Sequence, residues 1–331
     1  MVQLYTEMDQ SVIFREAIKE ELIQFDVYLR HALVNDKKHV KDIIDYAFKR
    51  DGKRIRPILV FLVANACGTV VPATYHGAVT VELLHAATLI HDDVIDEANT
   101  RRGQPSVNAV FDNKRAVLAG DYLLSSSLVE SSKTGNLEVI ELISKLGKDL
   151  AEGELSQHEL ASQVLIDENM YYDVIHHKTA SLLYTCAKIG AITAGAKRSV
   201  IEDFGEIGRC IGMAFQIQDD IFDYFNNDIG KPTGNDIREG KITLPLIYAL
   251  QNTSDDSRAK MMDIINSKDY SLENINTLLS FAKESGGIDY ADKVKKNYLE
   301  KAQNIIDNLE LNQDYKEALD ILLFYLRNRD Y

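Results

Sequence analysis

The chain has 331 residues, 45% of them hydrophobic, and a formal net charge of −14. No basic face is evident that would neutralise a phosphate backbone, which argues against nucleic acid as a partner and suits a cytoplasmic protein. Cys67, Cys186 and Cys210 are far apart and form no CxxC pair, so they read as reduced thiols rather than a disulfide frame or zinc site.

With only five prolines, and most Gly, Asn and Ser lying between long periodic segments, the chain reads as all-α, a single helical domain over residues 1–331. Strand-type alternation is hard to find. The N-terminus, MVQLYTEMDQSVIFREAIKEELIQ, mixes acids and bases and has no apolar core of a signal peptide. Residues 1–34 are expected to form an amphipathic helix and 38–48 another. Gly52 then opens a turn, and Pro57 suits the first position of a buried helix over 57–67. That helix is broken by Asn65 and too short to span a bilayer. Lys53 and Arg56 at its start stand where exposed amides already favour an anion.

A long helix over 74–98 carries Asp92, Asp93 and Asp96 after an apolar run. At about 100° per residue the three fall within an arc of about 100°, so they are expected to point the same way. Crowded carboxylates need a cation, and oxygen-only ligands favour a hard ion such as Mg²⁺. Alone, DDVID reads more readily as a solvated acidic helix end. The segment GMAFQIQDDIFD at 212–223 repeats the spacing in Asp219, Asp220 and Asp223, again after an apolar helical run, and two such clusters are hard to explain as surface. If the two helices face each other, six carboxylates would hold divalent ions that grip a diphosphate.

Arg101-Arg102-Gly103 follow the first cluster, and adjacent arginines suit bidentate phosphate recognition. Segment 114–130 is apolar with small residues, and 137–161 is a further amphipathic helix. Over 171–195, His176, His177, Lys178 and Thr179 interrupt a helical pattern. The adjacent histidines would diverge by about 100° and do not read as a metal pair. Helix 200–225 carries the second cluster and leads into the polar loop 226–241, which bears Lys231, Asp236 and Lys241; a loop of that length in a helical protein is usually functional. About four further helices fill 243–331, without evident chemistry.

GKRIRP at 52–57, DDVIDEANTRRG at 92–103, KTASL at 178–182, GMAFQIQDDIFD at 212–223 and GKPTGNDIREGKITLPLI at 230–247 together resemble the trans-isoprenyl diphosphate synthases, in the family's order. The resemblance implies a helical bundle around a central cavity, usually a homodimer, that joins isopentenyl diphosphate to an allylic diphosphate such as farnesyl diphosphate. It implies about three Mg²⁺ ions per site, held by Asp92, Asp93, Asp96, Asp219, Asp220 and Asp223. Arg101, Lys178, Lys231 and Lys241 would neutralise the allylic diphosphate. Lys53, Arg56, His85 and Arg102 would hold isopentenyl diphosphate, and Thr179 and Gln216 would face the reacting carbons.

Leu84, Ala87 and Thr88 precede the first cluster, where each helical turn descends about 5.4 Å, comparable to one isoprene unit. Small residues there resemble the long-chain branch, heptaprenyl to nonaprenyl. The same residues also suit plain helix packing, and a shorter farnesyl or geranylgeranyl product, or a subunit needing a dissimilar partner, stays open. A class I terpene cyclase shares the bundle but has no use for both DDIFD and GKRIRP.

Overall fold

A computed structural model describes residues 10–49, 54–101, 103–163, 167–225 and 233–328. The helices are α1 Gln10–Glu16, α2 Lys19–Leu33, α3 Lys38–Ala47, α4 Ile55–Cys67, α5 Pro72–Ile95, α6 Val107–Phe111, α7 Asn113–Lys133, α8 Leu137–Gln163, α9 Glu168–Ile175, α10 Ser181–Thr193, α11 Arg198–Phe222, α12 Asn235–Arg238, α13 Leu244–Gln251, α14 Asp255–Ser267, α15 Leu272–Glu284, α16 Gly287–Asn308 and α17 Gln313–Arg327. A π-helical turn, His176–Ala180, joins α9 to α10. The fold is all-α. Among the described residues the sole sheet is a hairpin of β1 Thr100–Arg101 and β2 Gln104–Pro105, which pairs Thr100 with Pro105 and Arg101 with Gln104.

The expected first helix is two, α1 and α2, separated at Ala17 and Ile18. The helix assigned to start at Pro57 starts at Ile55, with Arg54 in the left-handed region at φ +51° as its cap, so Arg56 lies inside the first turn. Backbone contacts group the chain into two compact units. One comprises residues 1–147, 185–205 and 309–321, the other 148–184, 206–308 and 322–331.

In the first unit α5 packs against α4, α7 and α2. Helix α4 is buried on all sides from Pro57 to Ala66, as its apolar sequence requires. A Cβ on Gly77 of α5 would come within 2.5 Å of Ile189 Cγ2, and one on Gly190 within 2.5 Å of the Val60 carbonyl oxygen. These glycines set how closely α10 approaches α5 and α4. In the second unit Tyr171, Ile175, Ala180, Met213, Ile217, Ile221, Leu244 and Ile247 form one buried cluster. Tyr224, Ile237, Leu246, Leu250, Ile275, Leu278 and Leu279 form another. No helix among the described residues is long and apolar enough to cross a membrane.

Candidate active site

In the first unit the acidic end of α5 is built by the chain folding back on it. After Asp96 caps the helix, the hairpin returns Arg101, whose Nε donates to Asp93 Oδ1 at 2.7 Å. The Ser106 hydroxyl and Asn108 amide donate to the Ala98 carbonyl and hold that return in place. Asp93 is buried, 2% exposed, whereas Asp92 is half-buried and Asp96 exposed. The expectation that all three carboxylates point the same way is therefore corrected. Positions i and i+4 lie about 40° apart and face together, while i+1 lies about 100° from i and turns inward, where only a buried donor makes its charge tolerable. Burial raises the Asp93 carboxyl above the usual carboxylate range against the opposing pull of Arg101.

His85 is half-buried on α5, and Arg56 is half-buried in the first turn of α4. Burial pushes the Cys186 thiol up to about 12, with the Arg56 charge lowering it and Glu82 raising it, so both charges reach α10. Arg54 of the GKRIRP motif pairs with Asp26 and lies 5.7 Å from the Phe25 ring centroid, a packing role. Lys53, Arg102 and Lys231 lie outside the described residues. Leu84 and Ala87 are 2% and 1% exposed, packed inside the unit. Thr88 is half-buried, one turn below Asp92, and its hydroxyl donates to the His85 carbonyl at 2.9 Å.

In the second unit the chemistry gathers around the π-helical turn. Lys178 Nζ donates to Glu154 Oε2 of α8 at 2.8 Å. The next residue, Thr179, donates from its hydroxyl to Gln216 Oε1 of α11 at 2.8 Å. Gln216 Nε2 in turn donates to Asp220 Oδ1 at 2.7 Å, and the Tyr171 hydroxyl donates to Asp220 Oδ2 at 2.6 Å. The i+1 aspartate of the second cluster is thus buried and held by donors, like Asp93, while Asp219 is half-buried. Burial pushes the Asp220 carboxyl up to about 6, against the two hydrogen bonds.

Asp223 accepts from the backbone amides of Asn235 and Asp236, both at 3.0 Å, and so organises the start of α12. This brings Asp236 to the cluster, where burial and then the charges of Asp220 and Asp223 push its carboxyl up to about 8. The Asp236 carbonyl accepts from the Lys241 amide at 2.8 Å, and Lys241 Nζ pairs with Glu239. Glu154 and Tyr171 escaped the sequence, since each belongs through contacts between helices, whereas the sequence already marks Asp236 on the functional loop. Among the described residues no group of three or more His, Cys, Asp or Glu side chains converges on one point that would hold an ion. Asp93, Asp220 and Asp223 are drawn instead to Arg101, to Tyr171 with Gln216, and to backbone amides. Hard oxygen donors on Asp92 and Asp96 in the first unit, and on Asp219 in the second, each fit Mg²⁺, which takes one or two carboxylates together with water and phosphate oxygens.

The sequence profile of the polyprenyl synthetase family matches residues 37–281. Heptaprenyl diphosphate synthase component 2 of Geobacillus stearothermophilus is 31% identical over 318 residues, which cover 95% of this chain and 97% of that protein. Among solved structures, a decaprenyl diphosphate synthase from Rhodobacter capsulatus matches with a TM-score of 0.91 at 31% identity, over 97% of this chain and 100% of that one. A geranylgeranyl pyrophosphate synthase from Bacteroides thetaiotaomicron matches with a TM-score of 0.84 at 39% identity, over 97% and 100% of the two chains. Members of the matched family in general use Mg²⁺. With a profile match over most of its length and relatives aligned nearly end to end, the chain belongs to the polyprenyl synthetase family, transferases of the trans-prenyltransferase type.

Proposed function

We propose that the chain condenses isopentenyl diphosphate with an allylic diphosphate such as farnesyl diphosphate, repeatedly and head to tail, to make a long-chain all-trans polyprenyl diphosphate. The observation that carries this reading is the repeated i, i+1, i+4 aspartate set, each with its i+1 member buried on a donor, the second of them tied through Gln216 to the π-helical turn that carries Lys178 and Thr179. Asp92, Asp96 and Asp219 are the ligands we assign to Mg²⁺, about three ions serving one diphosphate, with Asp93, Asp220 and Asp223 as their supports. Arg101, Lys178, Lys231 and Lys241 are assigned to the allylic diphosphate, and Lys53, Arg56, His85 and Arg102 to isopentenyl diphosphate.

When bound, Mg²⁺ withdraws charge from the departing diphosphate as a Lewis acid. The allylic C–O bond breaks with both electrons going to the diphosphate oxygen. Lys178 neutralises charge that is greater in the transition state than in the ground state, which is what accelerates the step. The alkene of isopentenyl diphosphate supplies the electrons of the new C–C bond, and the released diphosphate takes the proton lost from the neighbouring carbon. Gln216 cannot rotate without giving up either Thr179 or Asp220, so its amide presents a fixed dipole to the developing allylic cation.

Long-chain products are supported by the small Thr88 one turn below Asp92 and by relatives named for heptaprenyl and decaprenyl products. A homodimer is supported by α7, which exposes Val117, Leu118, Leu124, Leu128 and Val129 along one side. A second reading, a subunit that works with a dissimilar partner, is favoured by the name "component 2" of one relative. One experiment separates these. The purified chain is incubated with Mg²⁺, farnesyl diphosphate and excess isopentenyl diphosphate, and the dephosphorylated products are weighed by mass spectrometry. Long all-trans prenols support the main reading, and products ending at geranylgeranyl length replace its product class. No product from a chain that still binds Mg²⁺-pyrophosphate favours the partnered subunit.

A further inference from the structure

The geometry points to Glu154 as a positioning residue that holds the Lys178 ammonium in place for the diphosphate, an inference that rests on the function proposed above. Lys178 sits on a turn whose backbone is clamped from two sides. A Cβ on Gly153 of α8 would come within 2.9 Å of His177 Cβ and 3.3 Å of the Lys178 amide nitrogen. One on Gly212 of α11 would come within 2.5 Å of Ala180 Cα. The His177 ring against the Asp173 carbonyl at 2.7 Å, and the Ser181 hydroxyl donating to the His177 carbonyl at 2.7 Å, fix the same turn from within. π-Helical turns inside helices are found frequently at functional sites.

The backbone is therefore rigid, but a lysine stem has four rotatable bonds and carries about 2 kcal/mol of rotamer entropy. Glu154 supplies what the clamp does not. Its side chain is 15% exposed, and Oε2 accepts from Lys178 Nζ at 2.8 Å while Oε1 is buried without a hydrogen-bond partner. Burying a carboxylate with one oxygen unsatisfied is unfavourable, and packing alone would be served better by an apolar residue. A charge-assisted bond to a flexible cation, from the residue next to the clamping Gly153, is the arrangement expected where that cation must stand ready before an anion arrives.

The test compares Glu154→Ala with Glu154→Gln, which keeps the shape and the accepting oxygen. Two readouts are taken for each: Mg²⁺-pyrophosphate affinity by calorimetry, and steady-state condensation with farnesyl and isopentenyl diphosphates. Melting temperatures accompany both. The Ala variant is expected to bind pyrophosphate about tenfold more weakly and to lose about tenfold in kcat, with KM for isopentenyl diphosphate unchanged, the size of one charge-assisted hydrogen bond. The Gln variant is expected within about threefold of the unchanged chain on both readouts. Three results would overturn the inference: pyrophosphate binding in Glu154→Ala that is unaltered or tighter, a Gln variant as impaired as Ala, or a loss carried by KM for isopentenyl diphosphate. An unchanged chain that makes no prenol defeats the proposed function instead, and the pyrophosphate affinities still decide the role of Glu154.

Discussion

Asp236→Asn is expected to stabilise the metal-free protein at pH 8 by more than it does near pH 5. Burial, with the charges of Asp220 and Asp223 added, pushes the Asp236 carboxyl up to about 8, while Asp220 lies at about 6. An unfolded chain titrates such groups near about 3.9. With the folded value raised, the folded protein holds protons that the unfolded chain has already released. Stability is therefore complete below about pH 4, falls as the pH rises, and is fully lost above the folded value. Between pH 5 and 8, about 1.4 kcal/mol per unit sets an upper bound of about 4 kcal/mol. Sharing with Asp220, and relaxation around the buried charge, reduce this to about 2 kcal/mol. At about 2.1 cal/mol/K of unfolding entropy per residue, that is a gain of about 3 °C in Tm. Asparagine keeps the backbone bonds to Asp223 and Lys241, so the change isolates the charge. Scanning calorimetry in a chelator at the two pH values reads the effect, and added Mg²⁺ should erase the advantage at pH 8. The same Tm difference at both pH values would refute the reasoning.

Asp92→Ala and Asp219→Ala are each expected to lower condensation by about a hundredfold or more with little change in Tm, because both side chains are only half-buried; near-normal turnover in either would displace it from the metal set. Thr88→Phe should shorten the main product while turnover persists, read by mass spectrometry of the prenols. Ala87→Tyr should do the same but lose about 1–3 kcal/mol, since Ala87 is 1% exposed in a packed interface. An unchanged product length in Thr88→Phe removes the ruler. Gly212→Ala would drive a methyl to 2.5 Å from Ala180 Cα, so both Tm and kcat should fall, by about 1–3 kcal/mol in stability; thermal melts and rates that match the unchanged chain would show that the clamp has slack.

The sequence was most informative where chemistry and helical period coincide. The apolar period and scarce prolines gave the all-α class, and the long helices fall within a few residues of their expected ends, as α5 at Pro72–Ile95 and α11 at Arg198–Phe222 show. The paired aspartate sets and the cation motifs were legible because each is a short run. Contacts between elements were not. Nothing in DDVIDEANTRRG says that the chain turns back through a hairpin to put Arg101 on Asp93. The π-helical turn showed itself as an interruption at His176 to Thr179, yet its consequence, Lys178 on α8 and Thr179 on α11, needs two helices distant in sequence. The start of α4 was misjudged because Pro57 is equally comfortable inside a first turn when a left-handed Arg54 opens it.

The recurring i, i+1, i+4 pattern also explains why the motif has three carboxylates when, in the first set, only Asp92 and Asp96 are left to face outward. A helix end that carries only Asp92 and Asp96 would leave the direction of the following chain to Ser106 and Asn108, without a charged anchor. Asp93, turned into the protein, draws Arg101 back, and Asp220 draws Tyr171 and Gln216 to the same purpose in the second unit. In each case the inward charge is costly to bury, as the raised carboxyls of Asp93 and Asp220 record. That cost is tolerated because a buried, bonded carboxylate has one orientation, while solvated carboxylates sample many. The i+1 member of each set thus trades ion binding for rigidity, joined in the second set by Asp223, and what the i+1 member makes rigid differs between the units. In the first it is a cation assigned to the diphosphate, in the second an amide assigned to the reacting carbons.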